Sequence, residues 1–225
     1  MTTPYTVHCT PYTIHRFIFG PFQTNCYVVN DDQQILIIDP ACSNEYEQQQ
    51  LLNYINRQSI LPRQSSNRQL AILATHGHLD HLWGATWATQ QWHTPVLMHE
   101  ADIPMAQAMQ QQYDLFGIQR TAESFPIEPI TNNLSPITFI HTPGHTPGSI
   151  CLYFPVHRTP YTVHQHPILF SGDTLFQMGY GRTDLPGGNY GQLIDSLEHL
   201  FTLPSDVKVY PGHGDFTTIG AERSR

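Results

Sequence analysis

The chain is short of charge, of paired cysteines and of long apolar runs, and each shortage closes a class of function. Only 12% of its 225 residues are charged, and ten basic residues against 18 acidic ones leave a formal charge of -8. No run of Lys or Arg forms a surface that could track phosphates, so nucleic acid is not an expected partner. The first twenty residues contain no basic start followed by a long apolar stretch. The purest apolar run, ILII at 35–38, is far too short to span a bilayer. A soluble, cytoplasmic protein with no membrane partner is expected. Cys9, Cys26, Cys42 and Cys151 lack CxxC spacing, which argues against a disulfide framework or a thiolate zinc site and for small buried residues.

What the chain does have is enough apolar residues, 40%, to build a substantial core, and its length predicts one domain over 1–225. TIHRFIF, NCYVVN and QQILIIDP, between positions 13 and 40, have the alternation and β-forming composition of three strands, with DDQQ as a hairpin. A helix follows, with Ser43 as its expected N-cap and Leu51, Leu52 and Ile55 on one face. QLAILAT is an unbroken apolar run, expected as a strand buried on both faces. A helix from Asp80 to Trp92 and a strand at TPVLMH come next. Residues 100–125, broken by Pro104 and Gly117, predict a short helix and an irregular loop that could wall a substrate site. PITFIHT, SICLYFPV and HPILFSGD predict further strands, a helix runs from about Asn189 to Phe201 on a Leu193, Ile194, Leu197, Leu200, Phe201 stripe, and DVKVYPGHG closes as strand and loop. Strand groups in both halves with helices between them predict two sheets sandwiched by helices. The near-identical segments TPYTVH, TPYTIH and TPYTVH at 3–8, 10–15 and 159–164 lack the regular period of a repeat fold and are expected as edge or loop sequence, with no metal role for His8, His15 or His164.

The chemistry concentrates in LATHGHLDHLWG, where His76, His78, Asp80 and His81 occupy six positions at the end of an apolar run. Imidazole nitrogens and carboxylate oxygens suit zinc, iron and manganese. A lone HxH at a helix start would be unremarkable, but no structural need calls for all four groups at a strand end. His76 and His78, two apart on extended chain, can close on one ion, with Asp80 and His81 turned toward a second position. Three later strand ends each supply a further donor: His145 in HTPGHTPGS, Asp173 in FSGDTLF and His213 in YPGHGD. His141 precedes its turn and is expected to be structural.

With FGPFQTNCYVV, IIDPA, THGHLDH, PGHTPGS, SGDTLF, GRTDLPGG and PGHGDFTTIGAER, nearly the whole chain resembles the metallo-β-lactamase superfamily, and within it the single-domain, glyoxalase II-like bacterial hydrolases that act on thioesters. The resemblance implies an αββα sandwich of two mixed sheets flanked by helices. It implies two divalent metals, zinc first, with iron or manganese also accepted: His76, His78 and His145 on one, Asp80, His81 and His213 on the other, and Asp173 bridging. All seven ligand positions are present. Asp39 matches a carboxylate that orients the histidine loop. The implied reaction is hydrolysis of a small-molecule thioester such as S-lactoylglutathione by a hydroxide shared between the ions, with Asp80 and Asp173 nearest the chemistry. His78 excludes a flavo-diiron relative, which would have Glu there, and Asp173 excludes the lactamase subclass with Cys at that place. Twelve residues follow His213, so the C-terminal helical domain that supplies glutathione contacts in full-length glyoxalase II is expected to be absent. Arg182 and Tyr180 are candidate substrate contacts, although an Arg182–Asp184 pairing would equally well shape the loop. Tyr190 and Tyr113 are further candidates for the pocket wall. Two alternatives stand beside this reading. One is a persulfide dioxygenase of the same superfamily, holding one iron through His76, His145 and Asp173; the other is a metal-binding protein without catalysis, disfavoured because structural zinc sites are usually closed by four protein ligands.

Overall fold

A computed structural model describes residues 12–31, 33–60, 68–131, 134, 137–155 and 166–224. The TPYT[VI]H segments at 3–8 and 159–164, with His8 and His164, lie outside the described residues, as does Cys9. In chain order the elements are β1 (Thr13–Phe19), β2 (Thr24–Asn30), β3 (Gln34–Ile38), α1 (Glu45–Ile60), β4 (Gln69–Leu73), α2 (Ala85–Trp92) and β5 (Val96–Met98). A 3-10 turn (Glu100–Asp102) leads into α3 (Ile103–Gln107) and α4 (Met109–Leu115), followed by β6 (Ile127–Pro129), β7 (Thr138–His141), β8 (Ile150–Phe154) and β9 (Ile168–Gly172). The hairpin β10 (Leu175–Phe176) and β11 (Gly179–Tyr180), α5 (Tyr190–Leu200), β12 (Lys208–Pro211), β13 (Thr217–Thr218) and α6 (Ile219–Arg223) complete the chain.

The strands form a six-stranded sheet in the order β1-β2-β3-β4-β5-β6 and a five-stranded sheet in the order β13-β12-β9-β8-β7. Both are mixed: β1, β2 and β3 pair antiparallel while β3 to β6 run parallel, and β9 pairs parallel with β12 but antiparallel with β8. Period-two alternation sorts their side chains into three cores. Along β2 and β3, Cys26, Val28, Ile35 and Ile37 face a core shared with Leu51 and Ile55 of α1, Ala88 of α2 and Met109 of α4. The intervening Tyr27, Val29, Leu36 and Ile38 meet Leu152, Phe154 and Phe170 from the other sheet. On that sheet's far side Cys151, Leu169 and Val209 pack on Leu193, Leu197 and Leu200 of α5. Three cores between four layers make the expected αββα sandwich. Every strand that contributes to the inner core must therefore be apolar on both faces, which is why β2 and β3 show no polar alternation.

The boundaries differ from expectation at three places. Asn44, not Ser43, caps α1: its Oδ1 accepts the Glu47 N–H at 3.0 Å. Ser43 instead donates its N–H to Glu47 Oε2 at 2.6 Å, and Glu47 Oε1 accepts from Gly20 N, so the first turn is anchored to the β1–β2 connection. α2 begins at Ala85, five residues after Asp80, because residues 79–84 turn to aim side chains at one point and Gly84 N is taken by Pro40 O. Short strands β6, β10, β11 and β13 add pairing that two or three residues cannot advertise by periodicity. Cys26, Cys42 and Cys151 are buried and free, as expected. Among the described residues no helix is long and apolar enough to cross a membrane.

Candidate metal centre

Seven side chains from four loops converge at one end of the two sheets, each loop leaving the C-terminal end of a strand. The loop after β4 brings His76, His78, Asp80 and His81; those after β7, β9 and β12 bring His145, Asp173 and His213. His76 Nε2 lies 3.1 Å from His78 Nδ1, which lies 2.9 Å from His145 Nε2. His76 and His78 thus point different ring nitrogens at the same place. Asp80 Oδ2 lies 3.2 Å from His213 Nε2 and 3.5 Å from His81 Nε2. Asp173 stands between the two groups, with Oδ1 3.2 Å from His81 Nε2 and Oδ2 3.5 Å from both His145 and His213 Nε2. Three sets of donors are close enough to share an ion: His76, His78 and His145; His76, His81 and Asp173; and Asp80, His81 and His213.

Partners behind the rings fix which nitrogen faces forward. His145 Nδ1–H donates to the Arg182 carbonyl at 2.7 Å, leaving Nε2 free for the site. His81 Nδ1–H donates to Asp39 Oδ2 at 2.9 Å. Asp39 also accepts the Thr75 N–H at 2.7 Å and the Thr75 hydroxyl at 2.9 Å, and that hydroxyl lies 3.1 Å from His76 Nδ1. One buried carboxylate therefore orients His81 directly and His76 through Thr75. Asp39 holds this place with a left-handed φ of 54°, a region Asp tolerates better than most residues. Two glycines quoted within the sequence motifs are explained by close approach: a Cβ on Gly212 would fall on Asp173 Oδ1 and His81 Cε1, and one on Gly181 would fall on the Asp173 carbonyl and the His145 ring.

Two supporting residues were not anticipated. Thr24 of β2 donates its hydroxyl to Asp80 Oδ2 at 2.7 Å. Asp102, fully buried, accepts from Gly77 N at 2.7 Å, from the Thr146 hydroxyl at 2.6 Å and from Gly148 N at 2.6 Å. It clamps the backbone between His76 and His78 to the loop carrying His145. Nothing in the local sequence signals this role, since Asp102 ends the 3-10 turn and precedes α3 as an ordinary helix-start aspartate would. His141, as expected, stays apart: its Nε2 bonds the Pro147 carbonyl and its ring stacks on His99. His15 of β1 stacks on Tyr54 of α1, away from the donors.

Burial, and then the neighbouring imidazoles, drive His76 well below its ordinary pKa. Burial, and then His145, push His78 down to about 3. Both are therefore neutral ligand bases at pH 7. The other group behaves in the opposite way. Burial alone would lower His81, but Asp80, Asp173 and Asp39 outweigh it and hold the imidazole protonated above its ordinary range. His213 is likewise raised against its burial by Asp80 and Asp173. Burial favours the neutral form of Asp80 and Asp173, yet His81 and His213 overcome it and lower both carboxyls. Carboxylates gathered this way attract a cation, and a proton takes that place when nothing else does. The donors also pass a structural test for metal: among the described residues His81 Nε2 and Asp173 Oδ1 are buried without a hydrogen-bond partner although they face one another. A cation held there would satisfy both.

The remaining candidates are at the rim. Arg182 makes two 2.6 Å hydrogen bonds to Asp184, with both side chains more than half exposed. Tyr180 and Arg182 border the cleft over the donors together with Phe22, Phe116 and Phe176. Tyr190 lies beside Tyr180 and is largely exposed, whereas Tyr113 is buried in the helix-side core.

Layers and donor groups together define the class first: an αββα protein whose strand-end cleft gathers His and Asp donors that could hold metal ions. The model of the metallo-beta-lactamase superfamily matches residues 19–213, and the chain belongs to that superfamily of metal-dependent hydrolases. It is 34% identical to the probable metallo-hydrolase YqgX of Bacillus subtilis, over 93% of this chain and 94% of that one. It is 32% identical to the hydroxyacylglutathione hydrolase GloC of Haemophilus influenzae, over 90% and 91%. Among solved structures, TTHA1623 in a di-iron-bound form superposes with a TM-score of 0.74 at 30% identity, covering 93% of this chain and 96% of that one. The B3 metallo-beta-lactamase BLEG-1 gives 0.75 at 32% identity, covering 95% and 97%.

Proposed function

We propose that this protein is a dinuclear hydrolase that cleaves a thioester, with zinc as its first metal and iron or manganese acceptable to the same donors. His76, His78 and His145 hold one ion, Asp80, His81 and His213 hold the second, Asp173 spans both, and Asp39 orients the histidines. The carrying observation is the Asp173 carboxylate, within 3.5 Å of imidazoles from both donor groups. Two divalent ions at such a site supply Lewis acidity and a lowered water pKa, so hydrolysis near neutral pH needs no side-chain nucleophile. Asp80 and Asp173 are the carboxylates lining the cleft, and they orient the attacking water. Thr24 fixes Asp80 in that position. The departing thiol, with an ordinary pKa of about 8.5, leaves as thiolate without an obligatory proton donor. The 32% identity to a hydroxyacylglutathione hydrolase supports a thioester over other acyl bonds.

The test is elemental analysis of protein purified without added metal, paired with S-D-lactoylglutathione, a simple thioester and a chromogenic β-lactam as substrates. About two metals per chain with thioester turnover is the expected result. One iron per chain without turnover would move the assignment to the mononuclear oxygenase and strip Asp80, His81 and His213 of their roles. Faster β-lactam opening would keep the centre and change the substrate.

A further inference from the structure

Beside the metal centre, on the side of His78, a cavity of about 380 Å³ opens between α3, α4 and residues 185–187. It is continuous with the cleft over the donors, since His78, Gln112, Phe116 and Leu185 line both. Its walls are Met105, Ala108, Leu115, Phe116, Pro147 and Leu185. Leu115 and Phe116, 59% and 39% exposed, carry its apolar wall out to the surface. No Asp, Glu, Lys or Arg is among the described residues that line it. Gln112 offers nothing to a ligand either: its Oε1 accepts from Leu79 N at 2.9 Å, and its Nε2 donates to Gly77 O at 3.0 Å and Met105 O at 2.9 Å. Gln111, itself exposed, and His78 are the remaining polar side chains that line it, so an ionised group entering this space would meet no charged partner.

A thioester has two arms, and the surroundings of the centre differ in the same sense. The cleft is polar and charged on the side of Arg182, Asp80 and His213, whereas the cavity is apolar. Thiol carriers such as glutathione bear ionised groups and belong on the polar side. We infer that the cavity between α3, α4 and residues 185–187 is the acyl pocket, and that the substrates are thioesters of uncharged aliphatic acids. Its volume corresponds to about a dozen water-sized groups, which suits chains of roughly four to eight carbons. This inference rests on the thioesterase reading for its chemistry but not for its binding.

The test separates the two. Metal-loaded protein is assayed on acetyl, butyryl, hexanoyl and succinyl thioesters of N-acetylcysteamine. Calorimetry then measures affinity for the matching S-alkyl thioethers, which cannot be hydrolysed. Both kcat/KM and thioether affinity should climb about fourfold per methylene, the increment expected for burying one, and the succinyl thioester should run at least about tenfold below the butyryl one. Ala108→Phe, which fills the cavity, and Leu185→Asp, which charges its rim, should each flatten the thioether series. Equal affinity for ethyl and hexyl thioethers, or succinyl turnover equal to butyryl, would overturn the acyl pocket. Affinity that climbs with chain length while no thioester is turned over would uphold the pocket and overturn the thioesterase reading.

Discussion

The two donor groups differ in their protons as much as in their ligands. His76, His78 and His145 are all at most 8% exposed, contribute only imidazole nitrogens, and include two rings that burial keeps neutral. Asp80 and His213 are wetter, with side chains 16% and 28% exposed, and their group balances carboxylates against raised imidazoles. The first group is arranged by packing and backbone clamps; the second is arranged by charge. On the proposed dinuclear reading, one ion would be held mainly through geometry and the other mainly through electrostatics, and the two should be lost under different insults. Asp173 and Asp39 are the two residues common to both groups, and they are where the difference can be erased.

The largest effect is accordingly expected from Asp173→Ala. Removing the carboxylate that reaches both groups should lower metal content toward zero and thioester turnover by on the order of 10³-fold or more, equivalent to several kcal/mol of transition-state stabilisation. Elemental analysis and kcat/KM on the same preparation check it. Full retention of two metals in this variant would sink the spanning role and with it the treatment of the two groups as one centre. Asp102→Ala should come next and should be selective. Three hydrogen bonds to Gly77, Thr146 and Gly148 vanish from a fully buried place, leaving donors without acceptors, at a cost of roughly 3–5 kcal/mol in stability. Chelator competition should show the imidazole group weakened by about 10–100-fold, the usual cost of losing such support, with the Asp80 group nearly untouched and Asp102→Asn intermediate. Equal weakening of both groups would mean that the contrast drawn above is false.

These two residues also mark what the sequence could and could not disclose. Asp173 follows an apolar strand in a loop that echoes the HxHxDH segment, so its role was legible from local pattern. Asp102 lies 25 residues from Gly77 and 46 from Gly148 in the chain, and nothing local distinguishes it from a helix-start aspartate. Thr24, 56 residues from Asp80, is equally silent. The sandwich itself was readable because β2, β3, β4, β8 and β9 are apolar on both faces. Its edges were not: β6, β10, β11 and β13 have three residues or fewer and no period to detect. The start of α2 was misplaced because a helix beginning at Asp80 and a turn that aims Asp80 and His81 inward share the same composition. The turn is adopted because Gly84 N is claimed by Pro40 O and His81 by Asp39. Tertiary bonds chose between two locally acceptable conformations.

Protons give a subtler separation. In the metal-free protein His81 and His213 have folded-state pKa values raised above the unfolded value of about 6.5. Their contribution to stability is complete below that pH and is lost as pH rises through the raised values. His78, lowered to about 3, works the other way: the folded state binds fewer protons than the unfolded one, so metal-free stability falls as pH drops from about 6.5 toward 3. The same protons must leave when an ion takes their place. Titration with zinc in buffers of different ionisation enthalpy should show the ion held by Asp80, His81 and His213 displacing protons at pH 7, with His76 and His78 contributing almost none to the release at the other ion. Matching proton release for both ions would remove the electrostatic half of the comparison.

The smallest effect is expected at Arg182, whose main chain and side chain belong to different structures. Its carbonyl holds His145 Nδ1 and so serves the imidazole group, while its guanidinium is occupied by Asp184 at the exposed rim. Exposed ion pairs contribute little, commonly under about 1 kcal/mol. Arg182→Ala keeps the carbonyl and should leave metal content unchanged, with kcat/KM on an uncharged thioester reduced by no more than about fivefold, the factor that 1 kcal/mol allows. A larger fall confined to thioesters of a carboxylate-bearing thiol would show that the guanidinium leaves Asp184 to meet substrate, because only an anionic carrier can compete for a bidentate partner. Loss of metal in the same variant would instead trace to a displaced carbonyl. The position therefore distinguishes support given to the centre by backbone from recognition given by side chain, at a place where one residue has the means for both.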